Sequence, residues 1–124
     1  MSIDKYVKLG DLEVYKMAVV LSDKAWTIYE NSDWQEKKII GDQFIRSIDS
    51  VGANIAEGYG RFHYKDKIKF YYNARGSLLE LKHWLLLLYK RNKINRNKFE
   101  KMLNKLEEVH KKLNSYIKSC YKNI

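Results

Sequence analysis

Two Glu-x-x-His pairs, Glu80 with His83 and Glu107 with His110, are the residues of this 124-residue chain whose types and spacing most suggest a reactive site. Bundle proteins that hold two irons use that motif on two helices and add a glutamate from each of the others, a part Glu57 could play. The heptad positions argue against it. With Leu78 and Leu85 at position a, Glu80 falls at c and His83 at f, the face opposite the core. With Leu106 and Leu113 at a, Glu107 falls at b and His110 at e. Ligands inside a bundle must point inward together, so no metal or other cofactor is expected.

Other reactive patterns are weaker still. Cys120 is the single cysteine, so no internal disulfide can form, and its core-facing spacing is one where a thiol is usually inert. Some small all-α ribonucleases carry an Arg and a His a few residues apart on one helix. Arg75 and His83 are too far apart for that pattern, and Arg61 and His63 too close. Gly58-Tyr59-Gly60 follows a helix pattern instead of a strand and lacks a third glycine at position 63, so it is not a dinucleotide fingerprint. No enzyme is expected.

The densest polar feature is the stretch from Ser50 to Arg61, in which Asn54 and Glu57 lie among Val51, Ile55 and Ala56 before Gly58 and Gly60. Polar groups beside a core must be hydrogen-bonded or cost a few kcal/mol each, roughly. Asn54, Glu57, Arg75, Ser77 and Glu80 therefore read as a structural network, with Arg75 reaching a carboxylate such as Glu57 within one bundle or across subunits. A small-ligand site at the glycine turn is the functional alternative. Ser50, Gly52, Ala53 and Ala56, with Ala74, Gly76 and Ser77, are small enough for close helix approach.

These residues must be positioned by helices. The chain has no proline, the main helix interrupter. Asp11 is placed to cap a first helix whose Val14, Ala18, Leu21, Ala25 and Ile28 share one face. Ser32 with Gln35 forms a capping-box pattern for a second, carrying Phe44, Ile48, Val51 and Ile55 and ended by Gly58 and Gly60 in left-handed conformation. Tyr71, Ala74, Leu78, Leu81, Leu85 and Leu88 make a strict heptad in a third helix. Asn95 or Asn97 caps a fourth, with Phe99, Met102, Leu106, Val109, Leu113, Tyr116 and Cys120 inward. The helices are predicted at 11–31, 34–58, 65–91 and 96–121, after an N-terminal extension at 1–10. Short connections make neighbours antiparallel, which gives an all-α, single-domain, up-down-up-down four-helix bundle.

Gln43, Arg46-Ser47, the Ser50–Arg61 stretch, Phe62-His63-Tyr64-Lys65 and Ala74-Arg75-Gly76-Ser77-Leu78-Leu79-Glu80 together resemble the bacterial four-helix-bundle proteins encoded by intervening sequences of 23S rRNA genes. Leu12, Tyr15 and Ala18 fit that family's looser first helix. The resemblance spans nearly the whole chain and implies the bundle fold and assembly into rings of five subunits. A more distant likeness, in architecture more than motif, is to the accessory protein of diversity-generating retroelements. That protein is a basic five-subunit barrel working beside a reverse transcriptase and nucleic acid.

Helix 3 carries more apolar surface than one bundle hides. Tyr72, Leu79, Trp84, Leu86 and Leu87 lie outside its heptad, and apolar surface of that extent usually marks an interface. A homo-oligomer, a pentamer by the resemblance, is the expectation. The net charge of +9 is uneven: residues 90–124 hold 11 Lys and Arg against 3 acidic residues, whereas residues 1–60 hold 7 against 10. Lys90, Arg91, Lys93 and Arg96 cluster at the last turn, and Lys98, Lys101, Lys105 and Lys112 form a stripe on helix 4. This distribution points to RNA or DNA held through backbone charge without sequence choice. The alternative is a structural or adaptor module docking a protein partner. A second basic group, Arg61, Lys65, Lys67 and Lys69, is the fallback site. The opening residues show no signal-peptide pattern, and the longest apolar run, Trp84 to Tyr89, is far short of the ~20 residues of a membrane span. No membrane role and a cytoplasmic location are expected.

Overall fold

A computed structural model describes residues 8–124, so most of the expected extension at 1–10 lies outside the described residues. A 3-10 turn, Lys8–Asp11, leads into helix α1, Glu13–Glu30. Asp11 belongs to that turn and does not cap α1. The N-cap is Leu12, whose side chain packs against the core instead of bonding the first turn, so apolar contact and not a polar cap fixes where α1 starts. Helix α2 spans 34–59 in three stretches: Trp34–Glu36, a π-helical turn Lys37–Gly41, and Asp42–Tyr59. Its cap is Asp33, whose Oδ1 accepts from the Glu36 N–H at 2.8 Å. Ser32, the expected cap, instead donates to the Ile28 carbonyl at 3.0 Å and finishes α1.

Helix α3, Tyr64–Lys90, is unbroken and buries every residue of its predicted heptad. Helix α4 is Arg96–Lys122, capped by Asn95, whose Oδ1 accepts from the Lys98 N–H at 2.8 Å. In α4 Ile117 is buried and Tyr116 only partly so, a shift of one residue from the expected stripe at its C-terminal end. The α3–α4 turn is a Schellman motif. Asn92 takes φ 62°, the one positive φ at a non-glycine residue among the described residues, while the Lys93 N–H bonds the Leu88 carbonyl at 2.8 Å.

No strand occurs among the described residues. Side-chain bonds run in antiparallel register between chain neighbours: Ser22 and Tyr29 of α1 with Asp49 and Asp42 of α2, Ser50 with Ser77, Arg75 with Asn114, and Tyr72 with Tyr121. Helices α1 and α4 close the square, giving the up-down-up-down four-helix bundle. Its core runs from Val14 and Leu21 through Phe44, Ile48, Leu78 and Leu85 to Leu106 and Leu113. No helix among the described residues is long and apolar enough to cross a membrane.

Gly58 and Gly60 do not adopt the left-handed conformation; Gly60 has φ −76°. Helix α2 ends instead on a lysine from the next helix. Lys67 Nζ donates to the Tyr59 carbonyl at 2.8 Å, satisfying a backbone acceptor that the helix end leaves open. Gly58 is required for a different reason, the close approach of α3, where Phe70 and Tyr71 cover it.

Candidate nucleic-acid interface

The basic residues of the last third of the chain divide into a spent set and a free set. Lys93 Nζ lies 2.7 Å from Glu36 Oε1, and that carboxylate's bond holds its ammonium above the ordinary lysine range. The pair ties the α3–α4 turn to the start of α2. Arg96 bonds Glu100 at 2.8 Å, one turn along α4. Lys112 reaches Glu13 of α1 at 3.3 Å. Lys90, Arg91, Lys98, Lys101 and Lys105 form no ion pair among the described residues.

Three of the free lysines converge. Residues 98, 101 and 105 are spaced to share one face of α4, and they meet α1 along the seam that closes the bundle. There Lys24, Thr27 and Ile28 of α1 with Lys98, Lys101, Met102 and Lys105 of α4 line a groove of about 240 Å³. Its floor is apolar, from half-buried Ile28 and buried Met102, and its rim carries four ammonium groups. Further along the seam Lys105 also borders a second hollow with Glu13, Lys16, Met17, Val20, Glu108 and Val109. The positive character is therefore concentrated toward the α3–α4 turn, while at the Glu13 end Lys16 and Lys105 alternate with Glu13 and Glu108 and Lys112 pairs with Glu13. Lys24 was not among the expected contacts: heptad position gives the face of a residue but not the helix lying across from it.

Two of the four residues of the fallback group are occupied. Arg61 bonds Glu57 at 2.6 Å, and Lys67 caps α2. Burial lowers the Lys67 pKa. Lys65 and Lys69 remain exposed.

The expected polar network separates into independent pieces. Ser50 Oγ and Ser77 Oγ meet at 2.9 Å between α2 and α3, and Asn54 Nδ2 donates to Ser50 Oγ at 3.1 Å and to the Ser50 carbonyl at 2.9 Å. Glu57 is half-exposed and takes Arg61 as partner, so within the subunit Arg75 does not reach it. Arg75 sits on the α4 side of α3, where it donates to Asn114 Oδ1 at 2.9 Å and stacks over the Tyr72 ring. Glu80 accepts from Trp84 Nε1 at 3.2 Å on its own helix. The small residues divide likewise. Gly52, Ala53 and Ala56 line an α1–α2 groove with Tyr15, Ala18 and Val19, and a β-carbon at Gly76 would meet nothing.

On α3, Tyr72, Leu79 and Leu86 recur every seven residues and are 37%, 53% and 39% exposed. Trp84 and Leu87, expected in the same patch, are partly buried and pack against the core. Beside the stripe, Lys82 Nζ lies 2.7 Å from Glu107 Oε1 and 3.0 Å from His110 Nδ1. Burial first, and the Lys82 charge second, hold His110 below the ordinary imidazole range. Glu107 and His110 thus share a lysine partner, while Glu80 and His83 are engaged by Trp84 through a hydrogen bond and an edge-on ring contact. No group of three or more His, Cys, Asp or Glu side chains converges among the described residues. Cys120 is buried, and that burial raises its thiol pKa.

The model of the 23S rRNA-intervening sequence protein family matches residues 10–115, and the chain belongs to that family. Among solved structures it is similar to a protein of unknown function from the S23 ribosomal protein family of Bacteroides thetaiotaomicron VPI-5482. The two are 28% identical with a TM-score of 0.81, covering 87% of this chain and 97% of the other. No curated protein matches the chain.

Proposed function

We propose that this member of the 23S rRNA-intervening sequence protein family is a non-catalytic, cytoplasmic, oligomeric protein that binds RNA or DNA through the phosphate backbone. The observation that carries the reading is the set of unpaired cations at one end of the bundle: Lys24, Lys98, Lys101 and Lys105 around the α1–α4 groove, with Lys90 and Arg91 at the adjoining turn. Cations without protein partners gain most from meeting phosphates, because each contact releases counterions from the nucleic acid. No base-reading element accompanies them, so affinity without sequence choice follows. Assembly through α3, in the ring of five that the family resemblance implies, repeats this surface and adds weak contacts by avidity.

The test is charge reversal. Lys98→Glu, Lys101→Glu and Lys105→Glu together should weaken retardation of generic RNA and DNA alike. Retardation left intact moves the site to Lys65 and Lys69 or abolishes the reading. The second reading, an adaptor that docks a protein partner without nucleic acid, is favoured by the exposed Tyr72, Leu79 and Leu86 stripe. Absence of retardation at low salt would select it.

A further inference from the structure

We infer that the α1–α4 groove takes single-stranded nucleic acid in preference to duplex, with one unpaired base seated on its apolar floor. The inference rests on the proposed nucleic-acid function and specifies the form of ligand. A charged ridge would suffice for a duplex, whose outer rails are entirely sugar and phosphate. Here the cations do not form a ridge. Lys24 from one helix and Lys98, Lys101 and Lys105 from another surround a concave site of about 240 Å³ floored by Ile28 and Met102.

An apolar floor contributes affinity only when something apolar covers it and displaces its water. In a duplex the faces of the bases are stacked out of reach. In a single strand a base can leave the stack and present its face, while the phosphates on either side remain free to meet the lysines. Single-strand sites commonly join a positive groove to a surface for the base in this way, usually an aromatic one. The floor here is aliphatic, and beside the single Thr27 hydroxyl the groove offers only flexible lysine ammonium groups with no fixed donor–acceptor pattern, so tolerance of all bases follows.

An acidic peptide bearing an apolar side chain would share part of this complementarity. The number of free cations favours nucleic acid: four ring the groove and Lys90 adds another at the same end of the bundle, whereas Arg91 borders a separate hollow with Asp33 and Glu36. The hollow on the other side mixes Glu13 and Glu108 with Lys16 and Lys105, so the uncompensated positive charge lies at the groove itself.

The experiment uses the full chain and a mixed-sequence oligonucleotide carrying one 2-aminopurine, as RNA and as DNA, single-stranded or annealed to its complement. Thr27→Gln fills the groove with an uncharged, non-aromatic side chain, and Thr27→Ala leaves it open. Thr27 is exposed, so neither change disturbs the core. The wild-type protein and Thr27→Ala should bind the single strand about tenfold more tightly than the duplex, with a rise in 2-aminopurine emission as the base leaves the stack. Thr27→Gln should remove that preference and the emission change while leaving duplex affinity unaltered. Equal binding of both forms, indifferent to Thr27→Gln, overturns the inference and leaves the charge-based function standing. An unchanged 2-aminopurine signal in the wild-type complex overturns it even if Thr27→Gln fails to fold. Binding of neither form defeats the underlying reading itself. Preferential binding of a Glu- and Leu-containing peptide, blocked by Thr27→Gln, assigns the groove to a protein partner.

Discussion

Gly58 of α2 lies so close to Tyr71 of α3 that a β-carbon on it would stand 2.8 Å from Tyr71 Cε1 and 3.1 Å from Phe70 Cβ. The approach of α2 and α3 at this point is therefore set by a missing side chain, with the Ser50–Ser77 bond lying further along the same interface. Gly58→Ala should destabilise the fold by about 1–3 kcal/mol, the usual cost of overpacking. Gly76→Ala, in an open position of α3, should be stabilising by about 0.5–1 kcal/mol through helix propensity. Denaturant melts of the two variants should shift in opposite directions.

Lys82 gives the bundle a pH-dependent contact. Burial first, and the Lys82 charge second, hold His110 below the ordinary imidazole value of about 6.5, so the folded chain favours neutral imidazole more than the unfolded chain does. The unfolded state then binds the extra proton first, and the stabilisation is present above 6.5 and lost as pH falls through 6.5 toward the folded value. The melting temperature should drop across that window, and less so in His110→Gln. Lys82→Met removes the repelling cation and frees Glu107, so the His110 pKa read by NMR should rise.

Asn92 closes α3 with φ 62°. Asn92→Gly should be neutral or slightly stabilising, whereas Asn92→Val should cost roughly 1–2 kcal/mol by forcing a β-branched residue into the left-handed region. Equal melts for both would show that the turn relaxes to another geometry.

Leu79 and Leu86 test the assembly. Light scattering at micromolar concentration should give a multiple of the 14.8 kDa chain. Leu79→Lys with Leu86→Lys should reduce it to one chain or cause aggregation, without loss of helical signal, because both side chains are exposed in the isolated subunit. A wild-type mass of a single chain would reject the oligomer.

Much of the fold was legible because heptad spacing survives tertiary context. Tyr71 to Leu88 on α3 and Phe44 to Ile55 on α2 are buried as their spacing requires. What the sequence hid was local competition for the same groups. Ser32 and Asp33 both could cap α2, and Ser32 was taken by the Ile28 carbonyl. The glycines at 58 and 60 suggested a left-handed stop, but Gly58 answers to Tyr71 across the interface, a contact no local pattern reveals. The π-helical turn ending at Gly41 leaves no spacing signal, since Ile40 within it and Phe44 after it are buried at the ordinary four-residue spacing.

The candidate site was legible as charge and not as shape. Lys98, Lys101 and Lys105 could be assigned to one face of α4 from spacing alone. Lys112, on the same stripe, is neutralised by Glu13, and Lys93 by Glu36, through pairings that depend on which helices adjoin. Lys24 joins the group for the same reason.

The most direct measurement of the central claim is the salt dependence of binding to a generic oligonucleotide. If free lysines on the α1–α4 seam and turn hold phosphates, the logarithm of affinity should fall linearly with the logarithm of salt between ~50 and ~200 mM. Lys98→Glu/Lys101→Glu/Lys105→Glu should make that slope shallower as well as weaken binding. Affinity that persists unchanged into molar salt, or a slope the triple variant leaves untouched, would contradict the account.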